Sequence, residues 1–535
     1  MSKKSYLKGA AILGVGAILA KFLGIFFKIP LARYIGDIGL GLYAYPYPIY
    51  NFFLAISVIG LPVAISKLVS ERVAVGNFRE AHRVFKVALN LLIIFGTVSS
   101  LILFGFSKVI IKVLNWHPDT YYALLGIAFA PFFVSVMSAF RGYFQGLQIM
   151  TPTAISQLIE SFARVIIGLG LTIFLVKAYG IPQAAGGASF GATAGAMAGS
   201  AFLILLYTRK SKFFHRRIRQ SPKGKSEATG KIIHGLLKIA IPASIASVVT
   251  SLMGIIDTAM VPARLGVAGF NIDQAAALFG QMSQKAQTLV NVPLTLSIAL
   301  STSLVPAISE AVALRDRKEV QNRIELGIRT VLLIALPSAI GLSFLADPII
   351  NLLFGAGEQG GEILAILSYS VVFVMLTTTL QSMLQGLGKV IIPIKNLLIG
   401  AIFKVGINFF LVSIPALNIR GAAIGTIIGY GIAAFLNYRA VKRYTRIKMD
   451  IMQTIIKPII AVLAMGITVL LVYQFLSPIL GNSLSTLVAI LLGALIYFIM
   501  LLLIGGITTE EMALMPGGRK LTPILTKIGI LRRKR

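Results

Sequence analysis

The stretch KFLGIFFKIPLARYIGDIGLGLY, residues 21–43, decides how the chain is read. It is one long apolar segment crossed by two lysines, Lys21 and Lys28. Seven residues make two helical turns, so both lysines fall on one helix face. A cation at bilayer depth costs roughly 2.5–3.5 kcal/mol on insertion scales, and it faces a watery cavity or a partner. Snorkelling to the nearer interface is the competing account, and it suits Lys28 better than Lys21. A cavity role is expected for both.

The rest of the chain has the same character. Of 535 residues, 57% are hydrophobic and 13% charged, with a mean hydropathy of +0.87. Apolar runs of membrane-spanning length recur throughout, so the fold class is all-α and the protein is a polytopic membrane protein. The chain has no cysteine, which excludes disulfides, thiolate metal sites and cysteine nucleophiles. A net charge of +32 raises the question of nucleic acid. The basic residues sit mainly in alternate loops, however, so they are read as topology signals and contacts to anionic membrane lipids, with no nucleic-acid partner. Lys3, Lys4 and Lys8 precede an apolar run longer than a signal peptide, so an uncleaved first span is expected.

About fourteen transmembrane helices are expected, near 7–29, 43–65, 84–106, 121–140, 155–177, 184–207, 234–260, 283–305, 324–346, 363–386, 394–414, 421–438, 453–476 and 484–505. Basic clusters follow the even-numbered spans, from Lys67, Arg72, Arg79 and Arg83 to the closing Arg532, Arg533, Lys534 and Arg535. The positive-inside rule then places both termini in the cytoplasm of a cell-membrane protein.

An internal repeat is visible. Ser70-Glu71 and Arg79-Glu80 recur as Ser309-Glu310 and Lys318-Glu319, an offset of 239. Gln145-Gly146-Leu147 recurs as Gln385-Gly386-Leu387, an offset of 240, and Gly187, Gly191 and Gly195 recur as Gly421, Gly425 and Gly429, an offset of 234. Each copy holds six spans, and an even number keeps the orientation. Two parallel six-helix lobes follow, at 1–207 and 234–440, joined by a basic linker at 208–233. Residues 441–535 add two C-terminal helices and a basic tail. The glycine ladders fit close helix packing. The aromatic run Tyr43, Tyr45, Tyr47, Tyr50, Phe52 and Phe53 is read as an interfacial belt, with stacking on a sugar ring as the alternative.

The charges can be counted. Of eleven glutamates and seven aspartates, only Glu160 and Asp257 fall well inside spans. The intramembrane bases are taken as Lys21, Lys28, Arg164 and Lys404, with Lys285 near the start of span eight. Glu160 and Arg164 are i, i+4 and pair locally, or line a pathway together. Lys404 matches Arg164 across the repeat, where Gly400 replaces Glu160, so an Asp257–Lys404 pair is expected. Lys21, Lys28 and Lys285 are left unmatched. Surplus positive charge suits an anionic substrate such as a pyrophosphate and repels organic cations.

With KFLG at 21–24, ARYIGDIGLGLY at 32–43, GLPVAISK at 60–67 and LVPAISE at 304–310, the chain resembles the multidrug/oligosaccharidyl-lipid/polysaccharide flippase superfamily. Within it the chain is most similar to the MurJ and stage V sporulation protein B branch. The resemblance covers nearly the whole chain. It implies an inverted-V pair of lobes that moves an undecaprenyl-pyrophosphate saccharide, foremost lipid II, from the inner to the outer leaflet by alternating access. It also implies pyrophosphate binding by Lys21 and Lys28, lysines where arginines are usual, and by Lys285, about a turn from the family register. The family aspartate after the second position is Ile29 here. Some relatives couple to Na+ or to membrane potential, and Asp257 could serve such a site beside Lys404.

Other readings compete. Flippases for capsular, teichoic or sporulation-specific units share these features. An ion-coupled exporter of cationic drugs would want surplus acid. A membrane enzyme finds no catalytic or metal-binding constellation, and His117 beside Trp116 is its best candidate. A non-transporting partner of a synthase complex is the blandest option. A monomer without cofactor is expected.

Overall fold

A computed structural model describes residues 3–56, 60–211, 216, 218–221, 227–447 and 449–507. Side chains of residues 3–15, 17, 18, 243 and 246 are outside that description. So are the closing basic tail and the linker residues Lys212, Arg217, Lys223 and Lys225. The described chain is helical from end to end, and it divides into two compact units, 1–280 and 281–535.

The first unit begins with α1 (Lys3–Ala44), α2 (Tyr47–Leu54) and α3 (Leu61–Ala74). It continues with α4 (Phe78–Gly105), α5 (Ser107–Val113), α6 (Thr120–Ala128) and α7 (Ala130–Gly146). Then come α8 (Thr151–Ala178), α9 (Ile181–Arg209), α10 (Thr229–Val267) and α11 (Ile272–Gly280). Prolines stand in the first turn of α2, α3, α7, α8 and α9, where the missing N–H costs nothing. Packing joins α8 to α9 and α1, α4 and α3 to α7, α10 to α2 and α3, and α11 to α1.

The second unit opens with a π-helical turn at Gln281–Ala286 and α12 (Gln287–Ala313). It continues through α13 (Arg317–Phe344), α14 (Ala346–Phe354), α15 (Gly361–Leu367) and α16 (Ser370–Gly386). It closes with α17 (Ile391–Leu411), α18 (Asn418–Thr445), a second π turn at Met452–Ile456, and α19 (Lys457–Leu503). Here α17 packs on α18, α16 on α12, α13 and α18, and α13 on α19.

Among the described residues, ten helices are long and apolar enough to cross a membrane, or eleven if the bent pair α15–α16 is one span. The difference from the expected fourteen falls at four places. The first span lies partly on residues whose side chains are not described. The second is described as two helices, α2 and α3, with residues 57–59 between them outside the description. Spans thirteen and fourteen run together as Met452–Leu503, interrupted inside α19 by Gly481 at φ 71°. The tenth is the bent pair itself.

The repeat is legible in atomic detail. Asn77 accepts the Glu80 N–H at 3.1 Å to cap α4, and Asp316 accepts the Glu319 N–H at 2.9 Å to cap α13. Gly146 abuts Val69 and the Ser66 carbonyl, and Gly386 abuts Ile308 and the Val305 carbonyl. All these pairs are 239 or 240 residues apart. The glycine ladders serve packing. Gly191 and Gly195 sit on the backbone of Arg164 and Glu160, and Gly429 sits on Gly400 and Lys404.

The repeat halves and the compact units are nevertheless different divisions of the chain. The expected boundary was the linker at 208–233, whereas the units part at Gly280 and Gln281. The reason is packing. Glu227 pairs with Arg72 at 2.6 Å and its N–H donates to Glu80 at 3.3 Å, which pins the end of the linker. Downstream, α10 lies on α2, α3 and α4, while α11 lies on α1. A Cβ on Gly41 would overlap the Ala276 carbonyl, and one on Gly280 would overlap that of Asp37.

Candidate functional site: a basic layer in the first unit

The site begins with a reversal of the chain. Gly36 has φ 62° and ψ −172°, a conformation open essentially to glycine alone. A straight helix would put Phe27 and Tyr43 about 24 Å apart. Their ring centroids lie 6.1 Å apart, so the chain doubles back at Gly36 and returns its tyrosines beside the lysine-bearing segment.

Two contacts set α8 against α1. Gly16 meets Ala154 and Phe27 meets Gly168, so the helices run in the same direction. Lys21 on α1 therefore lies level with Glu160 on α8, and Lys28, next to Phe27, lies beyond Arg164 near Gly168. Lys21 is exposed and Lys28 is partly buried. Arg164 Nη2 donates to Glu160 Oε1 at 3.0 Å, and Arg141 Nη2 donates to Glu160 Oε2 at 3.0 Å. Arg141 Nε donates to Ser156 Oγ at 2.9 Å, and that hydroxyl is itself held by the Thr153 carbonyl at 2.8 Å. One carboxylate thus bridges two guanidiniums.

Tyr43, Tyr47 and Tyr50 are electrostatic neighbours of Arg164. Tyr43 and Tyr47 share a hydroxyl–hydroxyl bond of 2.7 Å. Tyr43, Tyr45 and Tyr50 are buried at 4%, 1% and 4% exposure, which corrects the expectation of an interfacial belt. The reversal at Gly36 carries them inward.

Sequence reasoning missed Arg141, which stands one residue beyond the limit drawn for span four. It has a second signal, since Ser156 and Glu160 both occupy the α8 face it reaches. Arg329 was missed too. It is buried in α13 and donates to the Gly506 carbonyl at 3.0 Å, which closes the end of α19.

Lys285 requires a correction. It was counted as an unmatched cavity cation, but it is fully buried in the π turn and ion-paired with Glu358. It also donates to the Gln359 carbonyl at 3.2 Å. The loop between α14 and α15 folds back over the π turn, a tertiary contact that no charge census of spans can register. Lys404 is buried on α17 in the second unit, and Asp257 is partly buried on α10 in the first.

His117 is a clasp rather than a reactive group. The Asp119 N–H donates to its Nδ1 at 3.1 Å, so Nε2 carries the proton and donates to Asp273 at 2.9 Å. Trp116 Nε1 donates to the Thr258 carbonyl at 2.8 Å, and Tyr45 stacks on both Trp116 and Phe279. No group of three or more metal-binding side chains occurs among the described residues.

Comparison with known proteins agrees with this architecture. Stage V sporulation protein B of Bacillus subtilis (strain 168) is 28% identical over 519 residues, covering 96% of this chain and 98% of that one. Lipid II flippase MurJ of the same organism is 27% identical over 493 residues, covering 88% and 89%. A solved lipid II flippase MurJ, in an inward closed conformation, superposes with a TM-score of 0.63 at 19% identity, over 92% of this chain and 98% of that one. An inward-facing multidrug resistance MATE family transporter of the MOP superfamily gives 0.66 at 15% identity, over 80% and 94%. The two solved structures share the fold. The MatE model matches residues 242–410. The model of the polysaccharide biosynthesis proteins matches residues 6–312, more than half of the chain, and this multi-span membrane protein belongs to that family.

Proposed function

We propose that the protein is a flippase for an undecaprenyl-pyrophosphate-linked saccharide, with the peptidoglycan precursor lipid II as its leading substrate. The observation that carries this is the basic layer of the first unit. Arg141 and Arg164 hold a single carboxylate, Glu160, inside an apolar helical bundle, and Lys21 and Lys28 stand on the neighbouring α1 within about two helical turns of Arg164. Interior cations are expensive in a membrane and are retained where an anion must be handled. The similarity to a lipid II flippase supports the reading. In this scheme Lys21 and Lys28 take the pyrophosphate from the cytoplasmic side, where both termini lie. The lobes alternate access, and the polyprenyl tail stays in lipid. Any dependence on Na+ or membrane potential is assigned to Asp257 and Lys404, and Asp257→Asn is expected to remove it.

The test is complementation in cells depleted of their own lipid II flippase. Wild type is expected to rescue growth, and Lys21→Ala and Lys28→Ala are expected to fail at matched expression. Rescue by all three would remove the lysines from the site. Well-expressed wild type that does not rescue would count against lipid II. A sporulation-stage lipid-linked precursor is the second reading, favoured by the similarity to stage V sporulation protein B across 96% of the chain.

A further inference from the structure

We infer that Arg141, Glu160 and Arg164, with Tyr43, Tyr47 and Tyr50, form a second subsite that takes a carboxylate borne by the saccharide, so that the substrate is an acidic lipid-linked sugar. The inference rests on the flippase reading for lipid-linked saccharides in general, not on lipid II, and its confirmation would favour an acidic saccharide unit over lipid II.

The first argument is charge. Two guanidiniums share one carboxylate, so the triad carries one net positive charge. A sugar carboxylate is a monoanion and matches it. A pyrophosphate diester carries two charges and matches the two span-one lysines instead. The two anionic groups of one headgroup would then each meet a basic site of its own valence.

The second argument is geometry. Ser156 and Glu160 fix the Nε and Nη2 edges of Arg141, so this guanidinium is held in place before any ligand arrives. Arg164 is anchored through Nη2 alone. Its Nε is buried and has no hydrogen-bond partner among the described residues. That buried Nε is out of a ligand's reach, and the Nη donors that Glu160 does not use remain for end-on, fork-like binding of a carboxylate. The side chains of Arg164 and Glu160 keep 30% and 17% exposure, so the triad is not sealed.

The third argument is the tyrosines. Tyr47, half-buried where Tyr43 and Tyr50 are fully buried, brings a phenol hydroxyl beside Arg164 that can bond a sugar hydroxyl, and the other two rings pack behind it. Glu160 supplies selectivity of the opposite kind. Its charge cancels one guanidinium, which weakens the triad for a dianion relative to a monoanion.

The experiment uses the purified full-length protein in nanodiscs. Two synthetic polyprenyl-pyrophosphate disaccharides serve as probes, identical except that the terminal sugar is glucose in one and glucuronic acid in the other. Wild type is expected to bind the acidic lipid about tenfold or more tightly, the scale of one charge-assisted hydrogen bond. In Arg164→Gln, and separately in Arg141→Gln, the ratio of the two affinities is expected to fall to about one. Equal binding of both lipids by wild type overturns the subsite and leaves the flippase reading standing. Binding of neither overturns both. A preference that survives both glutamine variants, checked for native melting, also overturns the assignment. The wild-type comparison needs no variant to fold.

Discussion

At the scale of single residues, the interior charges are held by short, specific contacts. Glu160 is the centre of one such set. Removing one partner of a buried ion pair costs about 3–5 kcal/mol, because it strands the other charge. Here the groups are 14–30% exposed, so a smaller loss of about 2–3 kcal/mol is expected for Glu160→Ala. It should appear as a lower melting temperature in detergent, and an unchanged melt would mean that the two arginines find other support. The i, i+4 pair of Glu160 with Arg164 was legible in the sequence because both partners lie on one helix. The third member was not, because Arg141 comes from α7 and lies just outside the apolar window that defined its span. Lys285 was misjudged for a related reason. Its partner, Glu358, sits in a loop, and a loop acid can reach a helix only through tertiary folding. Glu358→Gln is therefore expected to destabilise the second unit, and chemical denaturation of the purified protein would register it.

At the scale of elements, two glycine-dependent features shape the first unit. The reversal at Gly36 needs a backbone conformation that costs a residue with a Cβ about 1–3 kcal/mol. Gly36→Ala should displace Tyr43 from Phe27 and lower binding of the substrate before it lowers expression. A ligand titration beside a melting curve separates the two effects. The second feature is the backbone approach of α1 to α11 through Gly41 and Gly280. Gly41→Val should force α11 away and raise hydrogen exchange across 272–280, and unchanged protection there would contradict the contact. The sequence showed the glycines of α9 and α18 as ladders, since four-residue spacing has a known use. Gly36 and Gly41 belong to no ladder, and nothing local distinguishes a glycine that turns the chain from one that merely fills a helix. The aromatic run illustrates the same limit. Composition marked Tyr43, Tyr45 and Tyr50 as interfacial, and the turn at Gly36 sends them inward.

At the scale of the whole molecule, fold class was the most legible property, because hydropathy and repeat spacing survive any detail of packing. The division into compact units was not legible. It depends on where α10 and α11 lean, and helices from one repeat half can lean on the other. The proposed substrate class rests, on the sequence side, on a sign of charge, which is why the lysine variants in the complementation assay carry so much weight.

The capping turns have one more consequence. Before α4 the left-handed position is Gly76 at φ 76°, and its counterpart before α13 is Arg315 at φ 56°. After α7 it is Gln148 at φ 60°, and after α16 it is Gly388 at φ 74°. In each pair one copy uses the residue that turn favours and the other tolerates a side chain there, a penalty of roughly 1 kcal/mol. The gene thus carries its own repair manual. Copying glycine from the better copy to its twin, as Gln148→Gly and Arg315→Gly, should raise the melting temperature at both places, guided by a template the chain has kept within itself.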